Sequence, residues 1–383
     1  MKAYKERSAP RLNRRFTELI DRSYSMPSDK WKGAFAFGQY ADMDNMAPVY
    51  LNMLETIKEW MAARTESDEA LFAGFKTYTG LLGLGLKYLD EMTESNVWFV
   101  AVIKCFIRRS KRVLLEARSA ALKINKPSDK LLEALFHQLR DYRSSRTMDK
   151  KIKDELELLI NNLQVSICFS SHEFSKCQRQ LDLIRRDLAK YSQQELNNFY
   201  FQYAKMALIN CKFVESEDYF QRIRIQRKSQ LELIMRYLIP CKIFLGKMPV
   251  GSSNAEYLPI IEAIVRGDFE TFERSIQRFQ KLWIKRGIYL VMEKMRILVW
   301  RNFVKRTSFY LGEKIEFEHI VKAVSIMGGK ENISECMCVI SNLIYEGYVR
   351  GFIYFTEGKR TLVLKKGGAF PNLLKIAESK EPK

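Results

Sequence analysis

Three stretches of the sequence bring together residue types that do chemistry elsewhere. Gly80-Leu81-Leu82-Gly83-Leu84-Gly85-Leu86-Lys87 has the glycines and closing lysine of a phosphate loop. Such a loop needs Gly-Lys-Ser/Thr in direct succession and a strand ahead of it. The run instead lies inside a helical stripe, so its glycines are expected to let helices pack closely. Gly251-Ser252-Ser253 lacks the second glycine of a nucleophile elbow. Cys168 and His172 are four apart on one helix face, and Cys177 could follow them. No fourth ligand is near, structural zinc takes four, and cysteine also serves as a small core hydrophobe. Cys336 and Cys338 point to different sides of a helix. Only three histidines occur, which leaves few bases for work near neutral pH. Glu215, Glu217 and Asp218 read as a polar helix face. No enzyme, metal or cofactor is expected.

Positive charge is the stronger signal. The 383 residues include 64 Lys and Arg against 45 Asp and Glu, a net charge of +19. An excess of that size calls for a polyanionic partner. It is concentrated: residues 281–383 hold 19 basic and 10 acidic residues, a net of +9, and the preceding 280 hold only +10. Lys294, Arg301 and Lys305 recur at spacings of seven and four, one stripe on a helix spanning Gly287–Tyr310, and Arg306 flanks it. A following hairpin adds Arg350, Lys359, Arg360, Lys365 and Lys366. A basic stripe beside a basic hairpin predicts a surface that tracks phosphates. Ser334–Glu346, where a sequence-specific factor would read bases, has Glu335 and Glu346 and no Lys or Arg. It is expected to pack or dock, leaving contacts to the nucleic-acid backbone. A second cluster, Arg222, Arg224, Arg227 and Lys228, reads either as a clamp for an acidic partner chain or as a solvated turn.

The elements that must position these residues are mostly helices. Apolar residues at three- and four-residue spacing run through Val49–Met61, Leu71–Leu89, Val97–Leu115, Leu131–Leu139, Leu156–Phe169, Leu181–Leu188 and Leu196–Ile209. Short polar breaks such as Lys126-Pro127-Ser128-Asp129 separate them. This predicts a mostly α chain, a right-handed stack of tetratricopeptide-like helix pairs. Phe199–Phe220 sharpens the expectation: Ala204 and Ala207 allow close approach, aromatics fill the space beside them, and Asn210-Cys211-Lys212 breaks the pair. Then Phe317–Met327 reads as a helix stopped by Gly328-Gly329, and a second helix capped by Ser334 stops at Gly347. Strand-like runs Val349–Phe355 and Thr361–Leu364 flank a turn at Thr356–Arg360. Helix, helix and hairpin outline a C-terminal winged helix with a small β-hairpin. The expected division is a basic, partly disordered arm at 1–45, helical repeats at 46–195, tetratricopeptide-like helices at 196–290, a winged helix at 291–366 and a tail at 367–383, frayed from Glu378. The start lacks the apolar stretch of a secretory leader, the seven cysteines are odd and scattered, and no apolar run is long enough to span a membrane. A reduced cytosolic or nuclear setting is therefore expected.

Helical repeats that run into a winged helix are the architecture of PCI-domain proteins, and three motifs tighten the likeness. Tyr237-Leu238-Ile239-Pro240-Cys241-Lys242-Ile243-Phe244-Leu245-Gly246-Lys247-Met248-Pro249 resembles a helix end of one PCI branch. Trp300-Arg301-Asn302-Phe303-Val304-Lys305-Arg306 resembles its basic stretch, and Asn342–Ile353 resembles its helix-to-wing passage. That branch is the PCI subunit of the TREX-type mRNA-export complex and includes the signalosome-associated twelfth-subunit-like proteins. The resemblance covers residues 96–370. It implies a non-catalytic nuclear scaffold at the nuclear pore that supports transcription elongation and poly(A) mRNA export. It implies three kinds of partner: a larger PCI-type scaffold, a small acidic protein shared with the proteasome lid, and RNA or duplex DNA. By carry-over, Arg301, Lys305 and Arg306 are the best-matched basic positions. The alternative is a purely structural PCI subunit of a proteasome-lid or COP-signalosome-like assembly.

Overall fold

A computed structural model describes residues 67–90, 97–141, 150–184, 188–247, 255–356 and 358–381. The basic arm, the Val49–Met61 stripe and Gly251-Ser252-Ser253 lie outside these. The chain divides into two units, Met1–Leu196 and Asn197–Lys383.

In the first unit the predicted stripes become α1 (Asp68–Asp90), α2 (Val97–Lys123), α3 (Asp129–Asp141), α4 (Lys150–Ser170) and α5 (Phe174–Ile184), then a 3₁₀ turn at Leu188–Lys190. Of the stripe expected over Leu181–Leu188, Leu181–Ile184 lies in α5 and Leu188 opens the 3₁₀ turn. Phe75, Leu82, Ile103, Phe106, Leu114, Leu135 and Leu139 form the core between α1, α2 and α3. Tyr78 is buried there and satisfies its hydroxyl by donating to Phe106 O at 2.7 Å. The glycine run lies within α1, and a Cβ on Gly83 would meet Gln138 Oε1 of α3 at 1.9 Å. Close packing is therefore the role of Gly83, while a Cβ on Gly80 would meet nothing within 4 Å. Cys168 and Cys177 are buried where α4 meets α5.

The second unit begins within α6 (Gln193–Ile209), followed by α7 (Phe213–Gln221) and α8 (Lys228–Phe244). The helix pair forms as its small residues predict. Ala204 and Ala207 are buried, Ser216 Oγ donates to Ala204 O at 2.8 Å, and Cys211 turns the chain at φ 60°. The Tyr203 and Tyr219 rings sit 4.1 Å apart, and Phe213 stacks on Phe244 at 4.1 Å. Next come α9 (Leu258–Arg266) and α10 (Phe269–Arg286), the latter capped by Asp268, which accepts from Thr271 N at 2.9 Å.

The segment expected as one helix over Gly287–Tyr310 is two, α11 (Tyr289–Lys294) and α12 (Arg296–Leu311), broken at Met295. Ile288, Met292 and Met295 are buried at the bend, so packing on the neighbouring helices overrides the helical period. Then β1 (Lys314–Glu316), α13 (Phe317–Ile326), α14 (Ile333–Tyr345), β2 (Gly351–Thr356) and β3 (Lys359–Leu364) complete a winged helix. The cap of α14 is Asn332, not Ser334; its side chain accepts from Glu335 N at 3.0 Å, and the Glu335 carboxylate accepts in turn from Asn332 N. The sheet has three antiparallel strands in the order β1-β3-β2, where the sequence pattern showed two. With only three residues, β1 is too short to announce itself by alternation.

The C-terminus is the largest departure from expectation. Leu373–Lys380 forms α15, packed on α7 and α8, and the Glu381 carboxylate accepts from Val214 N and Glu215 N at 2.8 and 2.9 Å. It fills the anion-seeking start of α7. Lys380 pairs with Glu346 and lies over the Tyr348 ring. Through Glu381 the predicted fray is thus a docked strap.

Candidate nucleic-acid interface

The register of the wing decides which basic residues face together. Gly351 pairs with Leu364, Phe352 with Val363, Tyr354 with Thr361 and Thr356 with Lys359. Lys314 pairs with Val363 and Glu316 with Thr361. Paired residues point to the same face of a ladder, and alternate residues point to opposite faces. Ile315, Leu362 and Leu364 turn inward and are buried. The outward face therefore carries Lys314, Phe352, Tyr354 and Lys359. The ladder extends one step further, since Lys365 N donates to Arg350 O at 2.9 Å, so Arg350 and Lys365 close the base of that face. Arg360 pairs with Phe355 in β2, on the opposite face. Lys366 is exposed beside Lys365.

The stripe predicted on the preceding helix does not survive. Lys294 ends α11 ahead of the break, so its sevenfold spacing to Arg301 no longer sets a shared face. Arg301 is only 8% exposed. Its guanidinium donates to Pro371 O at 2.8 Å and to Asn302 Oδ1 at 3.0 Å, under the Phe370 ring at 6.0 Å. Loss of hydration pulls its pKa below the usual arginine value, and the nearby Tyr348 opposes that shift. Arg301 is thus a fastener for the C-terminal strap, withdrawn from any phosphate. Lys305 and Arg306, one turn on, are exposed. On α12 the strap covers one turn and leaves the next open.

Glu335 and Ser341 are exposed on α14, as are Ser334, Cys338, Asn342 and Tyr345 at helical spacing, while Cys336 is buried. No lysine or arginine joins them, and the two cysteines do point to different sides. Lys359 forms an ion pair with Glu316 at 3.2 Å across β1 and β3. Among the basic residues joining α7 to α8, Arg222, Arg224, Arg227 and Lys228 are all exposed. Arg222 is paired with Asp218 at 2.6 Å and lies over Tyr219, and the backbone of Arg224 is clasped by Asn197. Lys314, Phe352 and Tyr354 escaped the sequence reading of the site. The period-two spacing Arg350-x-Phe352-x-Tyr354 is the signal that could have found them. Among the described residues no group of three or more metal-ligating side chains converges, and no helix is long and apolar enough to cross a membrane.

No family model matches the chain. Individual relatives do. The PCI domain-containing protein 2 homolog of Dictyostelium discoideum is 26% identical over 197 residues, 49% of this chain and 45% of that protein. PCI domain-containing protein 2 of Xenopus laevis is 26% identical over 195 residues, 48% of each. Protein CSN12 homolog of Mycosarcoma maydis is 26% identical over 361 residues, 81% of this chain and 78% of that protein. The chain spans about half the length of the first two relatives it matches. Helices giving way to a three-stranded winged helix, together with these relatives, support a PCI-type scaffold similar to the PCI domain-containing protein 2 homologues and the CSN12 homolog.

Proposed function

We propose that this chain is a non-catalytic, nucleic-acid-binding subunit of a nuclear TREX-type complex. In this reading it supports transcription elongation and poly(A) mRNA export at the nuclear pore. The supporting observation is the exposed basic set on the winged-helix part: Lys305, Arg306, Arg350, Lys359, Lys365 and Lys366. The outer face of α14, which carries no lysine or arginine, leaves RNA and duplex DNA to be held by their phosphates elsewhere on the winged helix, with little sequence preference. Arg224, Arg227 and Lys228 are the cations offered to a small acidic protein of the kind shared with the proteasome lid. A larger PCI-type scaffold is the expected partner of the winged helix. Binding of the full chain to RNA and duplex DNA across a salt series tests the proposal. If about four of the exposed cations contact phosphates, log affinity falls with log salt at a slope near about −3.6 on duplex DNA. Affinity that ignores salt refutes the nucleic-acid role.

A second reading draws on the acidic and apolar character of that same helix, Ser334–Glu346, which suits a protein neighbour. The chain is then a structural PCI subunit of a proteasome-lid or signalosome-like assembly. Intact assembly with no nucleic-acid binding by the complex would favour it.

A further inference from the structure

The outward face of the wing sheet combines two features that phosphate binding alone does not require together. Phe352 and Tyr354 are 58% and 52% exposed, side by side on β2. Around them, among the described residues, stand Lys314, Arg350, Lys359 and Lys365 against the single carboxylate of Glu316. β2 is an edge strand of the sheet. Two large rings exposed side by side on a sheet face mark a binding surface. The cations bordering them select an anionic occupant.

The spacing narrows the occupant further. Phe352 and Tyr354 are two residues apart on a strand, a separation of about 6.7 Å. Duplex DNA repeats at about 3.4 Å per nucleotide along each strand with its bases stacked inside. Bases in a duplex cannot reach two rings at twice that step. Bases splayed from a single strand can, one on each ring, with the backbone running past the cations. We propose that this face is a stacking platform for single-stranded nucleic acid: Phe352 and Tyr354 each take a base, and Arg350, Lys365 and Lys314 hold the phosphates. The inference rests on the nucleic-acid-binding role proposed above and names the form of ligand that the wing receives.

The test uses the full chain and three probes: an oligothymidine strand, its abasic counterpart with the same number of phosphates, and a DNA duplex. Two double variants are compared, Phe352→Leu/Tyr354→Leu and Lys305→Ala/Arg306→Ala. Leucine keeps the strand apolar and removes the ring, and a thermal melt confirms that the fold is intact. Base–aromatic stacking contributes about 5-fold or more in affinity per ring. The leucine variant should therefore lose about 25-fold or more on the single strand and stay within about twofold on the duplex. The wild-type chain should hold the abasic strand about as weakly as the leucine variant holds the intact one. The Lys305/Arg306 variant should weaken single strand and duplex alike. Unchanged single-strand affinity in the folded leucine variant overturns the platform and leaves the face to a protein neighbour, while salt-sensitive loss in the Lys305/Arg306 variant keeps the broader role standing. A wild-type chain that binds none of the three probes removes both.

Discussion

Replacing Arg301 by methionine separates fastening from nucleic-acid binding within a single basic motif. The guanidinium donates to Pro371 O and Asn302 Oδ1 from a nearly buried position. A hydrogen bond from a charged donor contributes about 1.5–3 kcal/mol, and its loss leaves the Pro371 carbonyl without that donor. Part of this is returned, because Arg301 Nε has no partner and the buried charge is itself costly to desolvate. The net loss should be about 2–3 kcal/mol, a fall in Tm of about 4–12 °C for a unit of this size. Amides of α15 should exchange with solvent faster, since the strap loses its anchor at Pro371. Lys305→Ala/Arg306→Ala should do the reverse: Tm barely moves, and the salt slope on duplex DNA shrinks by about 1.8. Thermal melts, hydrogen exchange and a salt titration on the same samples read all three quantities. If Arg301→Met lowers nucleic-acid affinity at unchanged Tm and unchanged α15 exchange, the assignment of Arg301 to the strap is wrong.

Three further outcomes follow from local geometry. Glu381→Ala removes the carboxylate at the start of α7 and should cost about 1 kcal/mol, with faster exchange of the Val214 and Glu215 amides as the direct readout. Gly267→Ala should cost about 2–5 kcal/mol in a denaturant melt, because the residue sits at φ 68° and the new Cβ would lie 2.7 Å from Phe303 Cα, backbone that cannot yield. Burial pushes the Cys241 thiol up to about 12, so the folded state favours the protonated form. Its contribution is full below the unfolded thiol pKa of about 8.5 and is lost as pH rises through about 12, so stability should decline over that window, less steeply in Cys241→Ala.

The fold was largely legible because its signals are local. The stripes at Leu71–Leu89 and Leu131–Leu139, Ala204 and Ala207 in the helix pair, and the positive-φ glycines Gly328 and Gly347 each declare their structure within a few residues. What escaped depends on distant segments. The helical period treats Arg301 and Lys305 as equals, four apart on one helix. Phe370 and Pro371 cover the first of them from 70 residues away, and nothing near position 301 announces that crossing. Likewise β1 exists only because β3 lies beside it, and Glu381 becomes a cap only where α7 begins. The bend at Met295 has the same origin in burial rather than in a proline or glycine.

These non-local contacts assign the C-terminal strap a mechanical role. It touches the winged helix at Arg301 through Pro371, at Arg350 through Ala369 and at Glu346 through Lys380, and it touches the helix pair through Glu381 at α7. A second tie joins the winged helix to another of the helices before it: Phe269 N at the start of α10 donates to Met327 O at the end of α13, and a Cβ on Gly328 would press against Glu270. A third is Asn302 Nδ2, which donates to Ile264 O of α9. With ties at three places, the winged helix and the helices before it should unfold as one cooperative unit. Loosening the strap by Arg301→Met should then lower protection in α7 as well as in α15, although Arg301 itself lies in α12. If α7 exchange stays as in the wild type while α15 opens, each anchor releases independently and the strap does not couple α12 to α7.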